Sequence, residues 1–539
     1  MKIRRYTFSA RLSILVLVIY GIAAAGCKKA KKEEAQPEPE PKVTVTPQSS
    51  RAQLSADSMF LYAKEVYLWN EMLPTYEIFN PRQYVNSDEE AGLNNELFAI
   101  TRYAKNSSGQ SYEYYEDDPS TMKYSYVFNT DDENPVAFVS PATSSVDLEG
   151  NGYDIGIRPG YYGTNTSYTV YVVAVYQNSP AEKAGIERGD VISSINGRSV
   201  GADFNNEYSI LDDAFYGNAS SVTLKGMKRN GSPLNLTLSA ASYRSSPVYC
   251  DSVYQAESKK IGYLSYARFS NSSNSVSALN EVFSKFASEN VTDLIIDLRY
   301  NGGGYVTTAE HLINLIAPSS ANGQVMFTEH FNSMMQNGKA PILARQPVTD
   351  ENGNIVRING RIRTLADEDF SVAGNTSRFS KKGSLAGINN VVFIVSRYTA
   401  SASELVINSL KPYMNVKIVG TQTYGKPVGF FPITIDKYDV YFSMFETRNS
   451  RDEGRYYDGF TPDREAGDNP RFEFGDLQEN SLKTAYTYLN TGSFPAVSST
   501  KTSSVSGTGG SALKLMEDSG QKVPRREFRG MIETKHKMR

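Results

Sequence analysis

The sequence predicts a multidomain α/β chain, and three observations predict it. Two largely apolar runs, Leu294-Ile-Ile-Asp-Leu298 and Val391-Val-Phe-Ile-Val395, each break into a turn of small residues and pass into a helical pattern. That is the pattern of a parallel sheet with its site at the carboxyl ends of the strands. Residues 145–243 instead alternate short strands with Pro, Gly and Asn-Gly turn signals, the pattern of a β-rich α+β unit. Residues 54–140 carry amphipathic helical spacing and form a helical N-terminal cap. A length of 539 residues accommodates about three or four such units.

Composition narrows the functions. The formal net charge is −3, which gives no electrostatic case for nucleic acid. There are 36 tyrosines and one tryptophan, a balance that suits peptide or glycan surfaces as well as plain core packing. The chain has only two cysteines, Cys27 and Cys250, and three histidines, His311, His330 and His536, at spacings that match no zinc motif. No metal and no organic cofactor is implied.

Residues 1–27 read as a sorting signal. Lys2, Arg4, Arg5 and Arg11 precede a short apolar stretch that closes in Ala24-Ala-Gly-Cys27, and the charge-free run is too short to span a bilayer comfortably. The ending resembles a bacterial lipoprotein lipobox, which implies lipidation at Cys27; an ordinary signal peptide is the alternative. Several acyl chains anchor stably where one does not, so the expected location is the bacterial cell envelope, lipid-anchored, with the outer membrane favoured. Residues 28–53, rich in Lys, Glu, Pro and Thr, are expected to be a flexible tether.

Two helices are expected in the cap, one from Ser55 carrying Met59, Tyr62, Val66 and Trp69, the other over Ala91–Tyr103. In residues 145–243, Val170–Val175 is a strand, Ser179-Pro-Ala-Glu-Lys-Ala-Gly185 a short helix with Pro at its start and Gly at its end, and Gly189-Asp-Val-Ile-Ser-Ser-Ile-Asn-Gly197 a strand closing in an Asn-Gly turn. These residues resemble the signature of a PDZ domain. By that resemblance Ile155, Gly156 and Ile157, within Tyr153-Asp-Ile-Gly-Ile157, form the loop that holds a peptide's terminal carboxylate, and the domain either binds peptides by strand addition or gates.

Residues 244–495 alternate strands and helices. A strand over Lys260–Phe269 precedes a helix of about Ser275–Glu289 with Val276, Leu279, Val282, Phe283 and Phe286 on one face. The strand Leu294–Leu298 ends in Arg299-Tyr-Asn-Gly-Gly-Gly-Tyr305, and a helix follows through Ala309, Leu312 and Ile316. Residues 318–390 are polar, with turn signals at Asn352-Gly353 and Asn359-Gly360, and read as a β-rich insertion over the site. The next strand breaks into Tyr398-Thr-Ala-Ser-Ala-Ser-Glu404, then Val416–Gly420 leads to Thr421-Gln-Thr-Tyr-Gly-Lys-Pro-Val-Gly429. Residues 496–539 are Ser/Thr/Gly-rich and end in a basic stretch from Lys522 with seven Lys or Arg and two Glu, expected to be a disordered, solvated tail; a membrane or partner contact is the alternative.

Three of these pieces carry chemistry. Ser401 sits at a strand-to-helix corner, where a hydroxyl meets the free N–H groups of a helix start; the same residues also suit a simple N-cap. Gly302-Gly-Gly304 lets backbone amides face a ligand. Lys426 stands in a Gly-Lys-Pro turn and, taken alone, reads as a surface lysine. With histidines scarce, a Ser-Lys dyad is the economical acyl-transfer machinery. Moving a lysine from ~10.4 to about 7 costs roughly 4–5 kcal/mol, so the dyad demands a desolvated amine.

Together Asp297-Leu-Arg-Tyr-Asn-Gly-Gly-Gly304, Thr399-Ala-Ser-Ala-Ser-Glu404, Thr423-Tyr-Gly-Lys-Pro427 and Gly459-Phe-Thr-Pro-Asp463, following a PDZ signature, resemble the carboxyl-terminal-processing, or tail-specific, serine proteases in motif and order. Lys426 follows Ser401 by 25 residues, which is also the family's spacing. The resemblance implies an α/β protease core in which Ser401 is the nucleophile, preferred to Ser403, and Lys426 the general base. The amides of Ala402 and of Gly303 or Gly304 would form the oxyanion hole. It implies peptide or unfolded-protein substrates and permits an oligomer. Glu404 reads as an acidic residue stabilising the first turn of its helix. Two departures stand out: Phe430 replaces a glutamine that orients the lysine in many relatives, leaving Thr423, Gln422 or Tyr424 for that role, and Pro427 replaces a glycine. The rivals are a lipid-anchored peptide-binding scaffold without turnover and a Ser-His site using His311 or His330.

Overall fold

The parallel layer predicted from the apolar runs is a six-stranded sheet in the order Val248–Gln255, Lys260–Tyr266, Asp293–Asp297, Asn390–Val395, Asn415–Gly420, Arg464–Glu465, antiparallel at the first pair and parallel thereafter. This computed structural model describes residues 49–131, 146–217, 219–349, 354–385, 387–388, 390–495, 513–519, 522–523, 528–534 and 538. The signal peptide with Cys27, nearly all of the tether and the Asn352-Gly353 turn lie outside the described residues.

The sheet is covered on both faces, which is why its central strands are continuous apolar runs. Leu294, Ile296, Val391, Phe393 and Val395 turn to one side and pack with Phe283, Phe286, Leu312 and Leu405 from the helices Ser272–Ser288, Val306–Ile316 and Ala402–Leu410. The alternate residues Ile295, Val392 and Ile394 turn to the other side, against Leu482, Ala485 and Leu489 of the helix Asn480–Thr491. Pairing of Asp297 with Ile394 sets the ends of the two central strands side by side. The glycine turn and the Ser401 corner therefore emerge next to each other.

The N-terminal part begins with the helix Arg51–Val66, capped by Ser50, so helix starts inside the stretch read as tether. Its second long helix is Glu89–Tyr103. The part is not purely helical: Tyr126–Asn129 pairs antiparallel with Tyr438–Tyr441 of the core. Residues 318–390 likewise join the body. Val325–Phe331 pairs with Phe445–Asn449, and Phe331, Met335, Leu343, Leu365 and Phe370 share one apolar cluster with Met59, Phe60 and Leu97 of the cap. These contacts join cap and insertion around the segment that carries Lys426.

The PDZ-like unit is a sheet whose outer strand is Ile157–Thr164, followed by Ser167–Val175, Val191–Ile195, Ser221–Met227 and Pro233–Ser239, with the helix Phe204–Tyr216 against it. Asn196 and Gly197 both take positive φ, the I′ geometry that an Asn-Gly hairpin turn requires. A buried charge cluster ties this unit to the core: Arg188 and Arg299 both reach Asp468 Oδ1, at 2.6 and 2.5 Å, and Arg299 also pairs with Asp297 and Glu479. Burial opposes ionisation of Asp468, yet the guanidiniums of Arg188 and Arg299 hold its carboxyl well below the usual carboxylate range. Removing one partner of such a cluster leaves buried charge uncompensated. Asp468→Ala should cost about 3 kcal/mol in urea unfolding, and an unchanged midpoint would show that the cluster carries no stability.

The tail departs most from expectation. Gly530–Ile532 is a strand parallel to Gly303–Tyr305, and Met516, Val523, Phe528, Met531 and Ile532 are buried. The tail's charge count concealed this apolar spacing, which provides the driving force for docking.

Candidate active site

The corner after Asn390–Val395 is built by backbone strain. Ser401 has φ 59° and ψ −111°, a region that costs a non-glycine residue on the order of 1–3 kcal/mol. The helix Ala402–Leu410 starts directly after it. Ser403 Oγ donates to Asn301 O at 3.0 Å, whereas Ser401 Oγ is buried and has no hydrogen-bond partner among the described residues. Of the two serines, Ser401 alone keeps its hydroxyl uncommitted.

Glu404 does far more than favour a helix start. Its fully buried carboxylate accepts from the Ser401 and Lys426 amides through one oxygen, each at 2.8 Å. Through the other it accepts from Thr423 Oγ1 at 2.5 Å and the Gly425 amide at 2.8 Å. Burial pushes its pKa up, and these four donors oppose that shift. Thr423 Oγ1 in turn accepts from the Phe460 amide at 2.7 Å, bringing in the Gly459–Asp463 segment. Thr423 thus orients Glu404 rather than the lysine amine.

Lys426 is completely buried. Its Nζ donates to Arg529 O at 2.8 Å and to Tyr124 O at 3.2 Å, and lies 4.4 Å from the centre of the Phe430 ring. Desolvation pushes the amine down to about 7; Glu113 and Glu404 oppose that shift, and Arg529 adds to it. The residue in the glutamine position thus supplies an aromatic face instead of a hydrogen bond. Tyr124, from the N-terminal part, is held by Glu113, whose carboxylate accepts from the Tyr124 and Ser125 amides. Sequence reasoning missed Tyr124, since a backbone carbonyl leaves no residue signature. It also missed Arg529, which it had assigned to a solvated tail.

Gly303 has φ 109°, and a Cβ there would lie 2.3 Å from Gly530 O and 3.1 Å from the Ala402 amide nitrogen, so only glycine fits between the corner and the tail strand. Its own amide donates to Asn301 Oδ1 at 2.9 Å. Gly303 O and the Tyr305 amide both bond to Phe269, so strand alternation turns Gly304 to the opposite side. The Gly303 amide is thus committed to Asn301, while the Gly304 amide faces the strand Gly530–Ile532.

In the PDZ-like unit, Ile155 and Ile157 are buried in its core and Gly156 has φ 81°. The Gly156 amide donates to Asp154 Oδ1 at 2.7 Å. His311 bonds to Asn280 and Lys382, and burial, followed by Lys382, lowers it to about 4. His330 bonds to Thr328. Neither histidine is bonded to Ser401.

This fold and site define a PDZ-containing hydrolase-type α/β core, and comparison with known proteins agrees. Residues 260–466 match Peptidase family S41 and residues 171–225 match the PDZ domain family. The matched core is of the S41 type, and the chain is homologous to C-terminal processing proteases. It is 26% identical over 299 residues to the chloroplastic C-terminal processing peptidase of Tetradesmus obliquus, covering 53% of each chain. It is 25% identical over 314 residues to the carboxy-terminal processing protease CtpB of Bacillus subtilis, covering 57% of this chain and 52% of that one. The chain thus spans about half the length of these curated relatives. An S41 protease structure from Bacteroides fragilis superposes with TM-score 0.53 at 20% identity, over 81% of this chain and 97% of that one.

The strain at Ser401 is testable without any substrate. Glycine relieves the positive φ, whereas alanine keeps the Cβ that causes it. Ser401→Gly should therefore be more stable than Ser401→Ala by about 1 kcal/mol in urea unfolding, after glycine's own entropic penalty. Equal stability would mean that the corner is relaxed.

Proposed function

We propose that this chain is a serine endopeptidase of the carboxyl-terminal-processing type, acting through an acyl-enzyme with a Ser401-Lys426 dyad. The observation that carries the reading is a fully buried amine lowered to about 7, braced through Glu404 to a strained corner serine whose hydroxyl is uncommitted. In this reading, neutral Lys426 takes the Ser401 proton as Oγ attacks the peptide carbonyl. The Ala402 and Gly304 amides meet the oxyanion. Lys426 then returns the proton to the leaving amine, and water repeats the sequence on the ester. The commitments of His311 and His330 support lysine as the base.

The PDZ unit would recognise the substrate's C-terminus, or gate by it. Lipidation at Cys27 would hold the enzyme at the bacterial envelope, facing peptides and unfolded proteins. A second reading, a peptide-binding scaffold without turnover, draws on Phe430 in the glutamine position and on an amine that bonds to carbonyls instead of Ser401.

Casein cleavage separates the two readings. Ser401→Ala and Lys426→Ala should each lose at least about 10³-fold in kcat, and equal rates in all three proteins would sink the dyad. The pH profile gives an independent check. Lysine serves as base only when neutral, so kcat/KM should rise about tenfold per pH unit below about 7 and level off above it. A profile flat from pH 5 to 8 in the same sweep would exclude Lys426 as the titrating base.

A further inference from the structure

The tail lies in two places that a bound peptide would use. Gly530–Ile532 runs parallel to Gly303–Tyr305 with Gly530 opposite Gly303, and the Gly530 amide donates to Gly302 O at 3.1 Å. On its other edge, the Phe430 amide donates to Met531 O and the Glu533 amide to Phe430 O, each at 3.1 Å. The segment is therefore a strand held on both sides, between the glycine turn and the residues following Lys426. Its first carbonyl, Arg529 O, takes the Lys426 amine. The orientation of Gly304 turns its amide toward Gly530.

The second place is the outer edge of the PDZ sheet. Leu515 forms an antiparallel bridge with Tyr162, the Gly163 amide donates to Lys514 O at 3.0 Å, and Met516 and Val523 are buried in the PDZ core. Strand addition to an exposed sheet edge is how such a domain takes an extended peptide.

We infer that residues 513–517 and 528–533 form an internal pseudosubstrate, which adds to the PDZ edge, fills the catalytic cleft as a substrate strand would, and lowers turnover until displaced. This rests on the protease reading above. With the tail in place, Ser401 is 0% exposed, and the Lys426 amine bonds to the carbonyls of Tyr124 and Arg529 while Ser401 Oγ has no partner among the described residues. The register also defines the substrate class: an extended peptide with a small residue opposite Gly303, followed by two apolar residues. Gly530 meets the first requirement, since a Cβ there would lie 2.8 Å from Phe430 Cζ. Met531 and Ile532 meet the second, both buried.

Gly530→Trp and Met531→Asp in the full chain should expel the strand without touching the catalytic groups. Casein cleavage and labelling of Ser401 by a fluorophosphonate should both rise at least about tenfold over the unsubstituted chain. A synthetic peptide of residues 528–534 should inhibit the substituted chains, and the same peptide carrying Met531→Asp should not. Folded variants no faster than the unsubstituted chain overturn the proposal while leaving the protease reading intact; absence of cleavage and labelling in every form overturns the protease reading as well. Rapid self-cleavage next to Gly530, lost in Ser401→Ala, overturns the inhibitory role. Should the variants misfold, hydrogen exchange on the unsubstituted chain decides: the Gly530 and Glu533 amides should exchange as slowly as that of Phe269, and fast exchange overturns the docked strand.

Discussion

The buried carboxylate of Glu404 is the interaction on which the site depends. One side chain with two oxygens receives the amide of the corner serine, the amide of the lysine, a neighbouring glycine amide and the Thr423 hydroxyl. A carboxylate so deep is costly to ionise, and four donors are what make it tolerable. The same bonds fix where two distant loops stand relative to each other. Since Ser401 and Lys426 are anchored at their backbones, the lysine side chain can change partners while the frame stays in place.

A second buried cluster does for the domains what Glu404 does for the loops. Arg299 leaves the end of the strand Asp293–Asp297 and shares Asp468 with Arg188 of the PDZ unit. Two residues further, Asn301 donates to Tyr266 O and accepts from the Gly303 amide, the Ala400 amide and the Ser403 hydroxyl. The stretch from Asp297 to Gly304 thus joins domain docking at one end to the glycine turn at the other. That continuity places the docking of the PDZ unit and the glycine turn on one short stretch of chain.

Much of this was legible in the sequence because it rests on side-chain type and local spacing. Leu294–Ile296 and Val391–Val395 had to be covered on both faces, and the small residues around Ser401 had to be a corner. The illegible parts depend on backbone atoms or on long-range partners. The Tyr124 carbonyl reaches Lys426 through a strand pairing between residues 126–129 and 438–441 that no local pattern announces. Glu404 looked like an ordinary first-turn acid, because its acceptor role needs a loop 19 to 22 residues away. In the tail, Phe528, Met531 and Ile532 were outnumbered by charges, and three apolar residues give no period to read.

The amine of Lys426 shows why these parts cannot be separated. Its surroundings come from the N-terminal part through Tyr124, from its own loop through Phe430, and from the tail through Arg529. Desolvation is the largest cause of its lowered pKa, so each of these walls helps keep the amine neutral by excluding water. The tail is one such wall, and it also brings the Arg529 charge that pushes the amine down further. On the protease reading proposed above, a peptide entering in its place must restore the wall to keep the lysine neutral. An extended strand with apolar residues after its small one does so, whereas a polar or short segment leaves the amine wet and charged. On the proposed protease reading, selection of the substrate and activation of the base would in this way be the same physical event.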